Sequence, residues 1–280
     1  MLRFSKLMAC LAFAGLACSA VHADQLQEIR AKKTLVCGTF AAIEPFGFSD
    51  PQTRQTVGYD VDLCKAVARE MGVAIEHRGL TVEARIPELN LGRVDVLIAN
   101  LAYTKTRASQ IDFSDAYHVL HEVVIVTKES GISTLDQLSG KKVSATKGST
   151  SEQAIRMRIP SATPVAFQDA SAAYLALQQG KVDGFSINDV TAAKFVRQSA
   201  SGGRPVVMVA EPTILEPMGI GVKKGEPALL AEVNSALTRL EKSGELARNW
   251  EKWLGPKTEY GLTRTKVVTP IKDLKFDALP

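Results

Sequence analysis

Apolar and polar positions along this chain change period repeatedly, and the changes come in a set order. The run "KTLVCGTF" is a short apolar strand, and "DVDLCKAVAREMG" places Val61, Cys64, Val67, Ala68 and Met71 on one helical face before a glycine stop. A strand at "VAIEHRG", a helix at "ARIPELNLG" and a strand at "VDVLIAN" follow. The pattern then restarts: "GKKVSATKGSTSEQAIRMRI" predicts a strand, a glycine-containing loop and a helix, and "TPVAF", "ASAAYLALQQG" and "KVDGFSIND" add strand, helix and strand. Such alternation predicts a parallel sheet covered by helices.

The two alternations share a short signature. In "LNLGRVDVLIAN" and "LQQGKVDGFSIN", Gly92 matches Gly180, Val94 matches Val182, Asp95 matches Asp183 and Asn100 matches Asn188. Two similar α/β lobes are therefore expected. No Pro/Ser-rich linker lies between Asp115 and Ser139; instead "HVLHEVVIVTK" crosses the boundary as an extended β-branched segment, and "MGIGVKKG" returns later. After it only helical patterns remain, with Leu229, Leu230, Val233, Leu237 and Leu240, then Leu246, Trp250 and Leu254. These have no new sheet to cover and are expected to pack on the first lobe. The organisation predicted is a first lobe of 24–121 and 218–280, a second of 122–217, and a cleft between them.

Residues 1–23 stand apart, because Arg3 and Lys6 precede the apolar "LMACLAFAGLACSAV" and the small residues ending at Ala23. They read as a secretory signal peptide cleaved after Ala23, which implies a periplasmic location. Cys18 does not fit a lipoprotein, since Gly15 stands where a large aliphatic residue is usual. With 45% hydrophobic residues the rest can bury a normal core, and removing Arg3 and Lys6 leaves 32 basic against 30 acidic residues. That balance gives no electrostatic footprint for nucleic acid. Cys37 and Cys64 remain after cleavage; the sequence leaves open a disulfide or two separate buried thiols.

Ligands of open parallel sheets bind beyond the carboxyl ends of the strands. Here those ends carry Thr39 and Phe40, Ala99 and Asn100 with Ala102 just beyond, Thr146 to Thr150, and Asn188 with Asp189. In "KGSTSEQ", Gly148 allows a tight turn and Ser149, Thr150 and Ser151 lead into a helix whose free N–H groups favour an anion, although a simple cap by Ser149 or Thr150 is the alternative. Arg107 follows a buried strand in "TKTRASQIDFSD", where a surface ion pair with Asp112 or Asp115 would be ordinary. His118 and His121 point to opposite faces of the crossing segment. No zinc or nucleophile constellation is visible, and "KGST" lacks the spacing of a nucleotide loop, so no cofactor or metal is expected.

The order "PFGF", "VGYDVDL", "IPEL", "GRVDVLIANLAYTKTRASQIDFSD", "GKKVSATKGSTSE", "GKVDGFSINDVTA" and "GIGVKKG" resembles the polar amino-acid branch of bacterial periplasmic solute-binding proteins. The C-terminal "WEKWLG" looks like the glutamate/aspartate-binding subgroup. The resemblance implies a two-lobed Venus-flytrap fold, with two hinge segments, that captures a small carboxylate-bearing solute, an amino acid, as a monomer and hands it to an inner-membrane ABC permease. It implies that Arg107 grips the α-carboxylate while the "GST" loop closes on the same group, and that Arg85 contacts a side-chain carboxylate. The chain departs from the family where the ammonium is held: Phe40 and Asn188 occupy positions that usually carry aspartate, Val82 replaces a stacking aromatic with Ile43 opposite, and Asp189 is the carboxylate left to offer. Two alternatives use the same cleft. One is a periplasmic arogenate or prephenate dehydratase with Asp189 or Glu44 as acid; the other is a sensor for a membrane receptor.

Overall fold

The structure, a computed structural model, describes residues 24–280; the signal peptide reading falls on residues 1–23 and lies outside them. The first alternation is α1 (Gln25–Lys32), β1 (Thr34–Phe40), a small antiparallel sheet of β2 (Ala42–Ile43), β3 (Gly47–Ser49) and β4 (Thr56–Val57), then α2 (Tyr59–Glu70), β5 (Ala74–Leu80), α3 (Arg85–Asn90), β6 (Val96–Leu97) and α4 (Lys105–Gln110). Next comes β7 (Ile111–Thr127), 17 residues long. The second alternation is β8 (Lys142–Thr146), α5 (Ser151–Arg158), β9 (Thr163–Phe167), α6 (Ala170–Gln178), β10 (Gly184–Asn188), α7 (Asp189–Ala200) and β11 (Val206–Met208). The chain returns along β12 (Ile214–Lys223) and ends with α8 (Pro227–Lys242), α9 (Glu245–Trp253) and an extended tail.

One sheet holds both halves, in the order β5-β1-β6-β12-β7-β10-β8-β9, with β11 also paired to β7. β1 runs parallel to β5 and β6, and β8 runs parallel to β9 and β10. Between these parallel groups lie β7 and β12, antiparallel to each other from Ile111↔Lys223 to Glu122↔Ile214. Those two strands are the expected crossings. The "VDVLIAN" strand is shorter than its apolar run, since only Val96 and Leu97 join the ladder; Asp95 N and Ile98 N still bond to Val36 O and Gly38 O.

The signature shared by the two alternations has a structural counterpart. Gly92 and Gly180 end α3 and α6 with φ of +69° and +68°, a region that glycine enters without strain. Asp95 then accepts a hydrogen bond from Val36 N at 2.8 Å, and Asp183 accepts one from Lys142 N at 2.9 Å. Each aspartate thus serves the opening of the strand beside it.

The C-terminal helices pack where the pattern placed them. Leu229, Val233, Leu237, Leu240, Leu246, Trp250 and Leu254 share a core with Leu35, Leu63 and Val67. Cys37 on β1 and Cys64 on α2 lie in the same core and are joined by a disulfide, with Cα atoms 6.3 Å apart. The other half has two smaller cores on opposite faces of its sheet, one around Phe185, Leu177 and Phe195, the other around Val143, Ile155 and Leu138.

Candidate functional site

Arg107 belongs to a short helix rather than to a loop. Thr104 caps α4 by accepting from Arg107 N at 3.0 Å, which sets the arginine in the first turn with its side chain directed inward. The residue is 9% exposed. Its Nη1 donates to Ala102 O at 2.8 Å, and its Nη2 donates across the cleft to Gly148 O at 3.0 Å. The surface-pair alternative fails, because Asp112 pairs with Lys224 at 2.8 Å. Among the described residues no carboxylate stands within ion-pair distance of Arg107.

Arg85 opens α3 and is 3% exposed, buried rather than solvated at the helix start. Its Nε donates to Val82 O at 2.9 Å, and its Nη1 to Ala99 O at 2.9 Å and Asn100 O at 3.3 Å. Its Nη2 reaches the same Gly148 carbonyl at 3.4 Å, and the guanidinium lies 5.2 Å from the Phe40 ring centroid. Burial, and then the charge of Arg107, push its pKa down to about 9. Burial also lowers that of Arg107. Two adjacent buried cations held by carbonyl dipoles form a place that an incoming carboxylate would stabilise.

The glycine loop faces them. Gly148 has φ +77°, and a Cβ there would stand 2.9 Å from the Glu83 backbone of the other half, so both conformation and close approach require glycine. Ser149 donates to Thr146 O at 2.6 Å and accepts from Ser151 N at 3.2 Å, a local turn that leads into α5, whose N-cap residue Thr150 makes no side-chain capping bond. The Thr150 hydroxyl instead donates to the Glu216 carboxylate.

One cavity is lined by Phe40, Ile43, Val82, Arg85, Asn100, Ala102, Arg107, Thr146, Ser149, Thr150, Ser151 and Asn188, together with five residues that sequence reasoning missed: Glu122, Ala170, Ile187, Thr191 and Glu216. Asp189 does not join it. Its carboxylate lies 3.2 Å from His121 Nδ1 and also accepts from Val190 N, because residue 189 starts α7 and turns away from the cleft. Asn188 lines the cavity but its Oδ1 caps α7 on Thr191 N at 2.9 Å. Glu44 is drawn to Lys194 at 2.6 Å.

Asp189 is therefore not the nearest carboxylate on offer. Glu122 on β7 and Glu216 on β12 are 2% and 4% exposed and sit on the crossing strands, where the register makes them diagonal neighbours on one face. Ser186 donates to Glu122 at 2.8 Å. Burial raises the pKa of both, and the charge of Glu216 raises that of Glu122 further. The missed signal was a glutamate at the inward phase of each apolar crossing run, "HEVVIV" and "TILEPMGIG". A charge in such a run is costly unless it has work to do.

Behind the cavity lies a buried polar support. Asp60 accepts from Asn100 N at 2.8 Å and from Tyr117 Oη at 3.2 Å, holding Asn100 at φ +43°. His118 Nε2 lies 3.3 Å from Asn100 Oδ1. Burial pushes the Asp60 pKa up to about 7 and that of His118 down to about 3.

Comparison with known proteins agrees with this architecture. The family model of bacterial extracellular solute-binding proteins, family 3, matches residues 35–256. The ABC transporter glutamine-binding protein GlnH of Bacillus subtilis is 30% identical over 235 residues, 82% of this chain and 85% of that protein. The arginine-binding extracellular protein ArtP of the same organism is 29% identical over 249 residues, covering 88% and 94%. Among solved structures, an ancestral amino acid-binding protein described as a precursor of cyclohexadienyl dehydratase superposes with a TM-score of 0.74 at 33% identity, covering 83% of this chain and all of that one. An ancestral arginine-binding protein bound to glutamine gives 0.73 at 37% identity, with 80% and 98% covered.

Proposed function

The chain belongs to the bacterial extracellular solute-binding proteins, family 3, and from that membership we propose that it is the substrate-binding component of an ABC importer for an amino acid. One observation carries the reading at the level of residues: Arg107, buried and without a carboxylate partner among the described residues, spans the cleft to Gly148 O. The arginine supplies paired donors for a carboxylate, and the loop that closes over it comes from the other half. On this reading lobe 1 is 24–121 with 218–280, and lobe 2 is 122–217. Residues 1–23 export the protein to the periplasm, where it acts as a monomer and delivers its cargo to an inner-membrane permease. Relatives named for glutamine and arginine binding support an amino acid as cargo.

Capture needs no covalent chemistry. Open and closed forms exchange, and the amino acid favours the closed one because only there do both lobes touch it. Calorimetric titration of Arg107→Ala with the amino acid that binds wild type should show a loss of about 2–5 kcal/mol, and Arg107→Lys should restore only part. Unchanged affinity in Arg107→Ala would remove the assignment. The enzyme alternative is tested in parallel: incubation with arogenate or prephenate should leave both unconverted. Asp189 and Glu44, the acids that alternative named, are engaged outside the cavity by His121 and Lys194.

A further inference from the structure

The charges in the cleft are sorted by side. Arg85 and Arg107 stand on the elements that precede β7, and Glu122 and Glu216 stand on the two crossing strands. Among the described residues neither glutamate lies within ion-pair distance of either arginine, so the two pairs do not cancel by contact. The cavity is bipolar.

We propose that Glu122 and Glu216 form the subsite for a cationic nitrogen of the bound amino acid, opposite the arginines that take its carboxylate. The inference rests on the amino-acid reading above and names the recognition element that this reading lacks. Three observations carry it. First, both glutamates are more than nine-tenths buried and line the cavity; Ser186 and Ser151 stand against Glu122, and Thr150 holds one oxygen of Glu216. Glu216 Oε2 receives no hydrogen bond from the described residues.

Second, Thr191 lines the same cavity at 3% exposure, and its hydroxyl has no partner among the described residues. It is a third oxygen suited to an ammonium. Third, the other places for a cation are taken: Phe40 lies under Arg85, Asn188 caps α7 and Asp189 turns out to His121. Two neighbouring buried carboxylates are unfavourable together; the charges of Arg107 and Arg85 offset part of this for Glu216 without contact, and a ligand cation in contact supplies the rest.

The test starts from a thermal-shift panel of the twenty L-amino acids with lactate and malate as carboxylates that carry no ammonium. Wild type should respond to at least one amino acid and to neither hydroxy acid. For the amino acid giving the largest shift, Glu216→Gln and Glu122→Gln should each weaken binding by at least about thirty-fold at pH 7. Without amino acid, the same isosteric variants should melt at or above wild type, which a structural role for the carboxylates would not produce. Thr191→Val provides a third variant with a smaller loss.

The source of the cation is then separated. If the α-ammonium occupies the pair, calorimetric titration with the 2-hydroxy counterpart of that amino acid shows the same affinity for wild type and Glu216→Gln, far weaker than that of the amino acid for wild type. If a basic side chain occupies it, Glu216→Gln penalises arginine and spares citrulline. Unchanged affinity in both glutamate variants overturns the subsite and leaves the importer reading intact, as does a hydroxy acid that binds wild type as well as any amino acid. A wild type that responds to nothing in the panel removes the amino-acid reading itself.

Discussion

The titratable residues buried in and behind the cleft are tuned by burial more than by neighbouring charge. Asp60 and His118 flank Asn100, and each is displaced toward its neutral form by desolvation, to about 7 and about 3. The signs oppose. A carboxyl whose folded pKa is raised contributes stability that is complete below about pH 4 and lost as pH rises through 7. A histidine whose folded pKa is depressed contributes stability that is complete above pH 6.5 and lost as pH falls through 3. Between pH 4.5 and 6.5 the two contributions offset each other in the wild type. In Asp60→Asn the histidine acts without that offset, so unfolding free energy should rise with pH more steeply than in wild type, by on the order of 2 kcal/mol over that interval. Urea unfolding at the two pH values measures it. Parallel slopes would show that Asp60 titrates normally.

At the scale of elements, β1 and α2 form the most constrained joint. Their shared apolar face already packs in the main core, and the Cys37–Cys64 disulfide closes a loop with a sequence separation of 27 on top of that packing. Loop-closure entropy for this length amounts to about 3.5 kcal/mol. The double variant Cys37→Ala/Cys64→Ala should lose about that much stability in urea unfolding and yet bind its amino acid with wild-type affinity, because the bridge lies in the core and does not line the cleft. A variant as stable as wild type would mean that the crosslink does not form. The α4 element is the opposite case, with six residues and a single threonine cap, yet it places the arginine on which the site depends.

For the whole molecule the question is what holds the halves together across the cleft. Beyond the arginine contacts to Gly148 and the His121–Asp189 contact at 3.2 Å, three lysine or arginine ion pairs among the described residues join them: Lys147 to Glu83 at 2.8 Å, Lys194 to Glu44 at 2.6 Å and Arg197 to Glu259 at 3.1 Å. All are partly exposed, so each is worth at most about 1 kcal/mol and is screened by salt. The extended tail adds an apolar contact, with Leu279 buried against Ala154 on α5 and Ile214 on β12. Small-angle scattering of the unliganded protein should show a radius of gyration that increases as salt is raised from low ionic strength to about 0.5 M. The triple variant Glu44→Gln/Glu83→Gln/Glu259→Gln should be insensitive to salt. Equal radii for wild type at both salts would show that these pairs do not govern closure.

The repeating order of strand and helix, the crossing segments and the docking of the last helices were all legible in the sequence, because they depend on local periodicity and on which apolar faces lack a cover. Arg107 and the glycine loop stand at the ends of buried strands, but local pattern alone leaves a surface ion pair and a helix cap open there, and it was the resemblance to the family that pointed both at a carboxylate. The helices α1, α4 and α7 leave no separate signature in one dimension, being short or masked by neighbouring strand and cap signals. The acids of the cleft could not be assigned from sequence alone. Asp189 looked available since it follows a strand end, but the first turn of α7 rotates it toward His121. Glu122 and Glu216 are separated by more than ninety positions and become neighbours only through the register of β7 against β12. Periodicity determines which face a residue occupies within its own element, whereas the pairing of distant strands decides which charges share a cavity, and the free energy of burying those charges depends on that second arrangement.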